Sequence, residues 1–182
     1  MTLSTTTNTG TEGISSERYR EVMRHYPSGV AAVASLDPET GAPCGLIVGT
    51  LASLSLDPAL ITFSIDRASA TWPKISRSGK FTVSLLAEGQ QHVARALSGR
   101  REDKFAGLEW SLSPQRTPQI DGATGWIHAT INREVDGGDH VLVIADVVGM
   151  SASGGGRPMI FHGGRLGGVA EPDPGLSDLL RP

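Results

Sequence analysis

The sequence predicts a mainly β protein, a small antiparallel barrel carrying a few short helices. Six segments rich in β-branched and apolar residues are separated by Pro, Gly and Asp turns. They do not alternate with long helices, as the parallel strands of βαβ units must. The length of 182 residues suits one compact domain and leaves little room for a second core.

The elements follow in order. Residues 1–14 are Thr, Ser, Asn and Gly with little to bury and read as a tail, as does the Pro- and Asp-rich stretch 170–182; the domain lies between, at 15–169. Ser15 or Ser16 can cap a short helix in which Tyr19, Val22, Met23 and Tyr26 fall at helical spacing before Pro27, and this helix is expected to cover one mouth of the barrel. Strands are expected at 30–36, 42–55, 59–65, 80–86, 126–135 and 140–150. Two helical connectors are expected, at 71–76 and 89–97, the second because Val93, Ala94 and Leu97 share a face. The Gly-rich run from Ser153 to Arg157 reads as a loop.

Composition excludes several classes. Sixteen Lys and Arg against nineteen Asp and Glu, with no basic cluster interleaved with aromatics, argue against nucleic acid as a partner. No apolar run reaches the ~20 residues that span a bilayer, and the N-terminus lacks the basic start and apolar stretch of a secretory signal, so a cytoplasmic location is expected. The single cysteine, Cys44, forms no disulfide within the chain and reads as a buried thiol. The five histidines lie far apart and outside HExxH-type spacing, so no metal is expected. There is no GxSxG elbow, no GxxxxGK[ST] phosphate loop and no GxGxxG between a strand and a helix.

The informative stretch is Gly45-Leu-Ile-Val-Gly-Thr-Leu-Ala-Ser-Leu-Ser-Leu-Asp-Pro58, where Gly49, Thr50, Ser53 and Ser55 interrupt an apolar strand. Glycine in a strand marks close approach of another backbone or a ligand. Thr50 and Ser53 could donate to a phosphate alongside backbone N–H groups; equally, these hydroxyl residues could finish a strand and cap the Asp57-Pro58 turn.

This run resembles the flavin-contacting strand of the flavin reductase-like family, whose usual form is G-[LM]-T-[AV]-[NS]-S-F-x-S-[LV]-S-x-x-P-P. Further blocks match in the family's order: Tyr26 to Val33, Ser69 to Ile75, Ser78 to Leu86, Asp103-Lys-Phe105, Gly138-Asp-His140 and Pro158 to Gly163. The resemblance implies an FMN-binding split barrel working as a homodimer, an NAD(P)H:flavin oxidoreductase that passes hydride from NADH or NADPH to FMN or FAD. The reduced flavin would reach a partner flavin-dependent monooxygenase by diffusion. Residue by residue, it implies that Leu46, Ile47, Val48, Gly49 and Thr50 line the flavin, with Ser53 a further hydroxyl on the same run. Ser69, Thr71 and Trp72 approach its phosphate or adenylate, Ser84 stands where the family commonly has Asn, and Lys104 and Phe105 lie near the cofactor. Gly138, Asp139 and His140 match the motif associated with nicotinamide binding and hydride transfer, with His140 the catalytic candidate.

Taken singly, His140 also reads as a turn residue, Lys104 as a solvated charge, and Phe105 and Trp72 as core aromatics. His162 and Arg165 are set aside as polar ends of a strand. The chain departs from the family's form at Ile47 (usually Thr), Gly49 (Asn or Ser), Leu51 (Phe) and Ala59 (Pro). Two polar side chains are thus missing from the flavin strand, which suits loosely held flavin or a different ligand such as a deazaflavin. A flavin- or haem-binding barrel without reductase activity is the alternative, and an oxidase of the pyridoxamine phosphate type ranks last.

Overall fold

The computed structural model describes residues 13–170; the two tails expected from the sequence lie almost wholly outside the described residues. The first element is helix α1 (Ser16–Met23), and Ser15 caps it by accepting from the Arg18 N–H at 3.2 Å. Strands β1 (Ser28–Gly29), β2 (Ala31–Leu36), β3 (Pro43–Val48), β4 (Ala52–Leu56) and β5 (Ala59–Asp66) follow. Helix α2 (Trp72–Ser78) carries Pro73 in its first turn, where the missing N–H costs nothing, and ends at Gly79 in the left-handed region. Then come β6 (Lys80–Leu85), α3 (Gln91–Ser98), the hairpin β7 (Trp110–Leu112) and β8 (Pro118–Ile120), the long pair β9 (Gly125–Gly137) and β10 (His140–Ala152), and β11 (Met159–His162) and β12 (Arg165–Gly168). No helix among the described residues is long and apolar enough to cross a membrane.

Seven strands form one antiparallel sheet in the order β3-β2-β6-β9-β10-β5-β4. Strands β3 and β4 are its two edges, yet only residues 49–51 connect them. Six inter-strand spacings in a flat sheet would put those edges ~29 Å apart, whereas the four Cα steps from Val48 to Ala52 reach ~14 Å at most. The sheet must therefore roll up until its edges approach. Thr50 fastens the seam: its Oγ1 accepts from the Ser64 N–H at 2.9 Å and lies 3.1 Å from Ser64 Oγ.

Strand β2 is buried on both faces, which accounts for its unbroken apolar run. Ala31 and Val33 face the barrel interior with Phe63, Phe81, Val83, Val143 and Ile75. There Phe63 meets Trp72 and Phe81 edge to face, with centroids 5.8 and 5.5 Å apart; each such pair adds ~0.5–1.5 kcal/mol beyond area burial. Ala32 and Ala34 face outward against Val93, Ala94 and Leu97 of α3, together with Phe105, Ile120 and Met159. A ribbon of β1, β11 and β12 is tied to the barrel by the Val30 N–H to Met159 O and the Met159 N–H to Leu86 O.

Three expectations need correction. The segment 42–55 is two strands, because one strand cannot occupy both edges of the sheet. Helix α1 covers no mouth: it buries no residue, and Tyr19, Val22 and Met23 stay exposed because no element among the described residues buries them. The strands β1, β7, β8, β11 and β12 went unread since runs of two to four residues carry too little periodicity.

A buried polar chain pins the β7–β8 flap to the sheet. Thr82 Oγ1 lies 2.7 Å from Thr117 Oγ1 and 3.0 Å from His128 Nδ1, and Thr117 Oγ1 lies 2.9 Å from Ser113 Oγ. Burial holds the His128 pKa below its ordinary 6.5. The unfolded chain therefore binds this proton first as pH falls, so stability is intact above about 6.5 and declines below it until the folded state protonates too. We expect the melting temperature to drop between pH ~7 and ~5, and the drop to be shallower in His128→Gln. Parallel pH profiles for the two proteins would contradict this.

Candidate active site

Strand β3 pairs only with β2, so one side of its backbone is free. Three adjoining hollows, of about 810, 410 and 550 Å³, follow that free edge. The first and second share Ile47 and Ser98; the second and third share Ser28, Gly49 and Phe161. Together they make an elongated groove with two unlike ends.

The largest hollow is bounded by β3, the loop 68–71 and the end of α3. Lys74, Arg100, Arg101 and Lys104 line it against Asp37 and Glu102, an excess of positive charge. Lys74 is offset by Asp37, whose buried carboxylate it meets at 3.1 Å. The Glu39 N–H donating to this carboxylate, followed by the Lys74 ammonium, keeps its pKa below the usual carboxylate range. Lys104 has no carboxylate at ion-pair distance among the described residues. Its Nζ donates to Thr71 Oγ1 and to the Leu97 carbonyl, both at 3.1 Å, and burial lowers its pKa. With two of three N–H groups committed, the ammonium is held in place and keeps one donor for a ligand. Cys44 also lines this hollow, but burial and then the Asp37 charge push its thiol up to about 11, so it is no thiolate nucleophile at neutral pH.

The second hollow is largely apolar, walled by Val30, Ile47, Val48, Ala94, Phe161 and Leu166, with Arg95 at its side. The third runs from Gly49, Thr50 and Leu51 to Met23 and Tyr26. The structure thus brings Leu46, Ile47, Val48, Gly49, Thr50, Ser69, Thr71 and Lys104 onto one groove.

Other candidates lie elsewhere. Trp72, the first residue of α2, is buried in the barrel core, its Nε1 donating to Glu134 at 3.1 Å. Phe105 is buried against Trp110 and the face of Gly45. Ser84 is fully buried, and its Oγ accepts from the Ile120 N–H at 3.0 Å. These three side chains face the core rather than the groove, the two rings used in packing and the hydroxyl in a buried hydrogen bond. Ser53 is exposed on β4, outside the groove. Gly138, Asp139 and His140 form the β9–β10 turn, beside the loop that lines the largest hollow; His140 Nδ1 lies 2.7 Å from Asp139 Oδ1, which lowers the pKa of that carboxylate. Gly49 has a local explanation too, since a Cβ there would lie 3.0 Å from Ser28 Oγ.

Sequence reading missed Asp37, Lys74, Arg100 and Arg101 at the charged end and Val30, Phe161 and Leu166 in the apolar middle. Arg100-Arg101 directly after the Ser98-Gly99 helix stop was a readable signal; the pairing of Asp37 with Lys74 was not.

The split barrel thus carries, along its free strand edge, a groove that is cationic at one end and apolar in its middle. The chain belongs to the flavin reductase-like family, whose model, described as a flavin reductase like domain, matches residues 23–170. A flavin reductase from Pseudomonas putida is 39% identical over 152 residues, covering 84% of this chain and 89% of the relative. The reductase subunit HsaB of a flavin-dependent monooxygenase from Rhodococcus jostii is 36% identical over 162 residues, covering 89% and 82%. The NADH:FAD oxidoreductase SgcE6 of Streptomyces globisporus, solved with NAD and FAD fragments, superposes with a TM-score of 0.80 at 27% identity, covering 85% of this chain and 93% of that one.

Gly45 is where β3 touches the packing beneath it, for a Cβ there would lie 3.1 Å from two Phe105 ring carbons and 3.2 Å from the Val33 carbonyl. Overpacking of this kind costs ~1–3 kcal/mol, so Gly45→Ala should lower the melting temperature by several degrees. Adding Phe105→Leu should recover part of the loss. A melting temperature for Gly45→Ala equal to that of the unmutated protein would refute the contact.

Proposed function

We propose that the chain is an NAD(P)H-dependent flavin reductase that supplies reduced FMN or FAD to a partner monooxygenase. The observation that carries this reading is the continuous groove along the free edge of β3, charged at one end and apolar in its middle, in a chain of this family. Its donor set suits a flavin nucleotide. Lys104, Thr71 and Ser69 would hold the phosphate, with Arg100 and Arg101 available to a second phosphate or an adenylate. The backbone of residues 46–50, with Val30 and Phe161, would lie along the ribityl chain and ring.

When bound, the flavin supplies the hydride-accepting chemistry. The protein's own task is then orientation and exclusion of water, which is consistent with a groove that offers neither an acid/base pair nor a thiolate. Asp139 would orient His140 through Nδ1 and leave Nε2 for the nicotinamide nucleotide. The exposed apolar residues of α1, with Leu56 and Met150 at 87% and 69% exposure, would be covered in a homodimer.

The test is NADH and NADPH oxidation followed by absorbance, with and without each flavin; no flavin-dependent oxidation with either nucleotide refutes the proposal. A hydrogen bond to a charged group is worth ~1.5–3 kcal/mol, and tenfold in affinity is ~1.4 kcal/mol. Lys104→Met should therefore raise the flavin KM about tenfold or more and leave the NADH KM nearly unchanged. His140→Ala should raise the KM for NADH or lower kcat, and normal values for both would remove it from the site.

A further inference from the structure

Between the groove and the Gly138-Asp139-His140 turn stands Arg67, a residue without an assigned role. It follows the last residue of β5, Asp66, which pairs across the sheet with His140. Two of its groups reach the turn and a third reaches the strand before it. The Arg67 main-chain N–H donates to the Asp139 carbonyl at 3.1 Å, and Nε–H donates to the Gly138 carbonyl at 2.8 Å. The guanidinium also pairs with the Asp136 carboxylate. In the other direction the chain runs directly into Ala68, Ser69, Ala70 and Thr71, which line the largest hollow. That loop is itself fastened, Ala68 N–H to Asp66 Oδ1 at 2.8 Å and Trp72 N–H to Ser69 Oγ at 3.2 Å.

The turn has little stiffness of its own. Gly137 and Gly138 adjoin in it, and Gly138 takes φ +77° at the first of two central positions, as a type II′ hairpin requires. Glycine pairs of this kind leave a hairpin tip conformationally free unless something outside holds it. The exposed pair with Asp136 contributes little to that restraint. The bonds to the two turn carbonyls carry it, since they act on the peptide units that aim Asp139 and His140.

The geometry points to Arg67 as a positioning residue that sets the Asp139-His140 turn against the phosphate-end loop of the groove, so that the nicotinamide nucleotide is received in register with bound flavin. This rests on the flavin reductase reading for what the turn receives, and on the hydrogen bonds from Arg67 for the brace.

Two measurements separate those layers. Hydrogen exchange of the peptide spanning residues 136–141, with no substrate present, reads the brace: Arg67→Ala should speed it severalfold, and unchanged exchange overturns the proposal whatever the enzyme's activity. Steady-state kinetics read its consequence. Arg67→Ala should raise the KM for NADH about tenfold and leave the flavin KM within about twofold. Combined with His140→Ala it should add little to the loss from His140→Ala alone, because both act through one contact. Independent, multiplying losses, or an equal rise in flavin KM, would overturn it. Should Arg67→Ala fold poorly, Arg67→Lys carries the same cycle, keeping charge and main-chain N–H but losing the bond from Nε.

Discussion

The three-residue link between β3 and β4 is the constraint on which the rest depends. It joins the two edges of a seven-stranded sheet and so forces the sheet to roll. Rolling creates an interior large enough for Phe63, Phe81 and Trp72 to meet edge to face. Because closure is made by a link and the Thr50–Ser64 hydrogen bonds rather than by a full ladder, β3 keeps one side of its backbone free. The groove is the space beside that unpaired edge. An unpaired edge is ordinarily a liability toward other chains; here α3 and the loop 68–71 flank it and make it one wall of a groove.

Charge is distributed along the groove with the same economy. Asp37 is buried and matched to Lys74, so that pair leaves little net field, whereas Lys104 is tethered by neutral acceptors and keeps its charge available. The Leu97 carbonyl that holds it belongs to the last turn of α3, where helix carbonyls lack intrahelical partners and favour cations. One ammonium thus ties off a helix end, fixes the loop at Thr71 and presents positive charge to the groove.

The fold class was legible because β2, β5, β6, β9 and β10 are long enough to show their composition and are bounded by turn residues. The seam was not: a run of apolar residues with Gly49-Thr50 inside it looks the same whether it is one strand or two on opposite edges, and only the pairing partners differ. Short strands such as β1 and β11 are held by tertiary hydrogen bonds and leave no local pattern. At the site, Lys104 and the 46–50 run could be read because motif blocks carry them. Trp72, Phe105 and Ser84 belong to equally good blocks yet serve the core, since a motif records which residue occurs and not which way its side chain turns. Phe161 and Leu166 went unmarked for the converse reason: apolar residues in a groove look like apolar residues anywhere.

The small side chains on the outer face of β2 have a consequence for how such an enzyme can vary. Ala32 and Ala34 share one buried cluster with Val93, Ala94 and Leu97 of α3, and α3 supplies Ala94, Arg95, Leu97 and Ser98 to the groove wall. The groove wall is therefore backed, one layer beneath, by residues that do not line it. Enlarging either fully buried alanine would overfill that cluster, so the shape of the groove in this scaffold depends in part on its core.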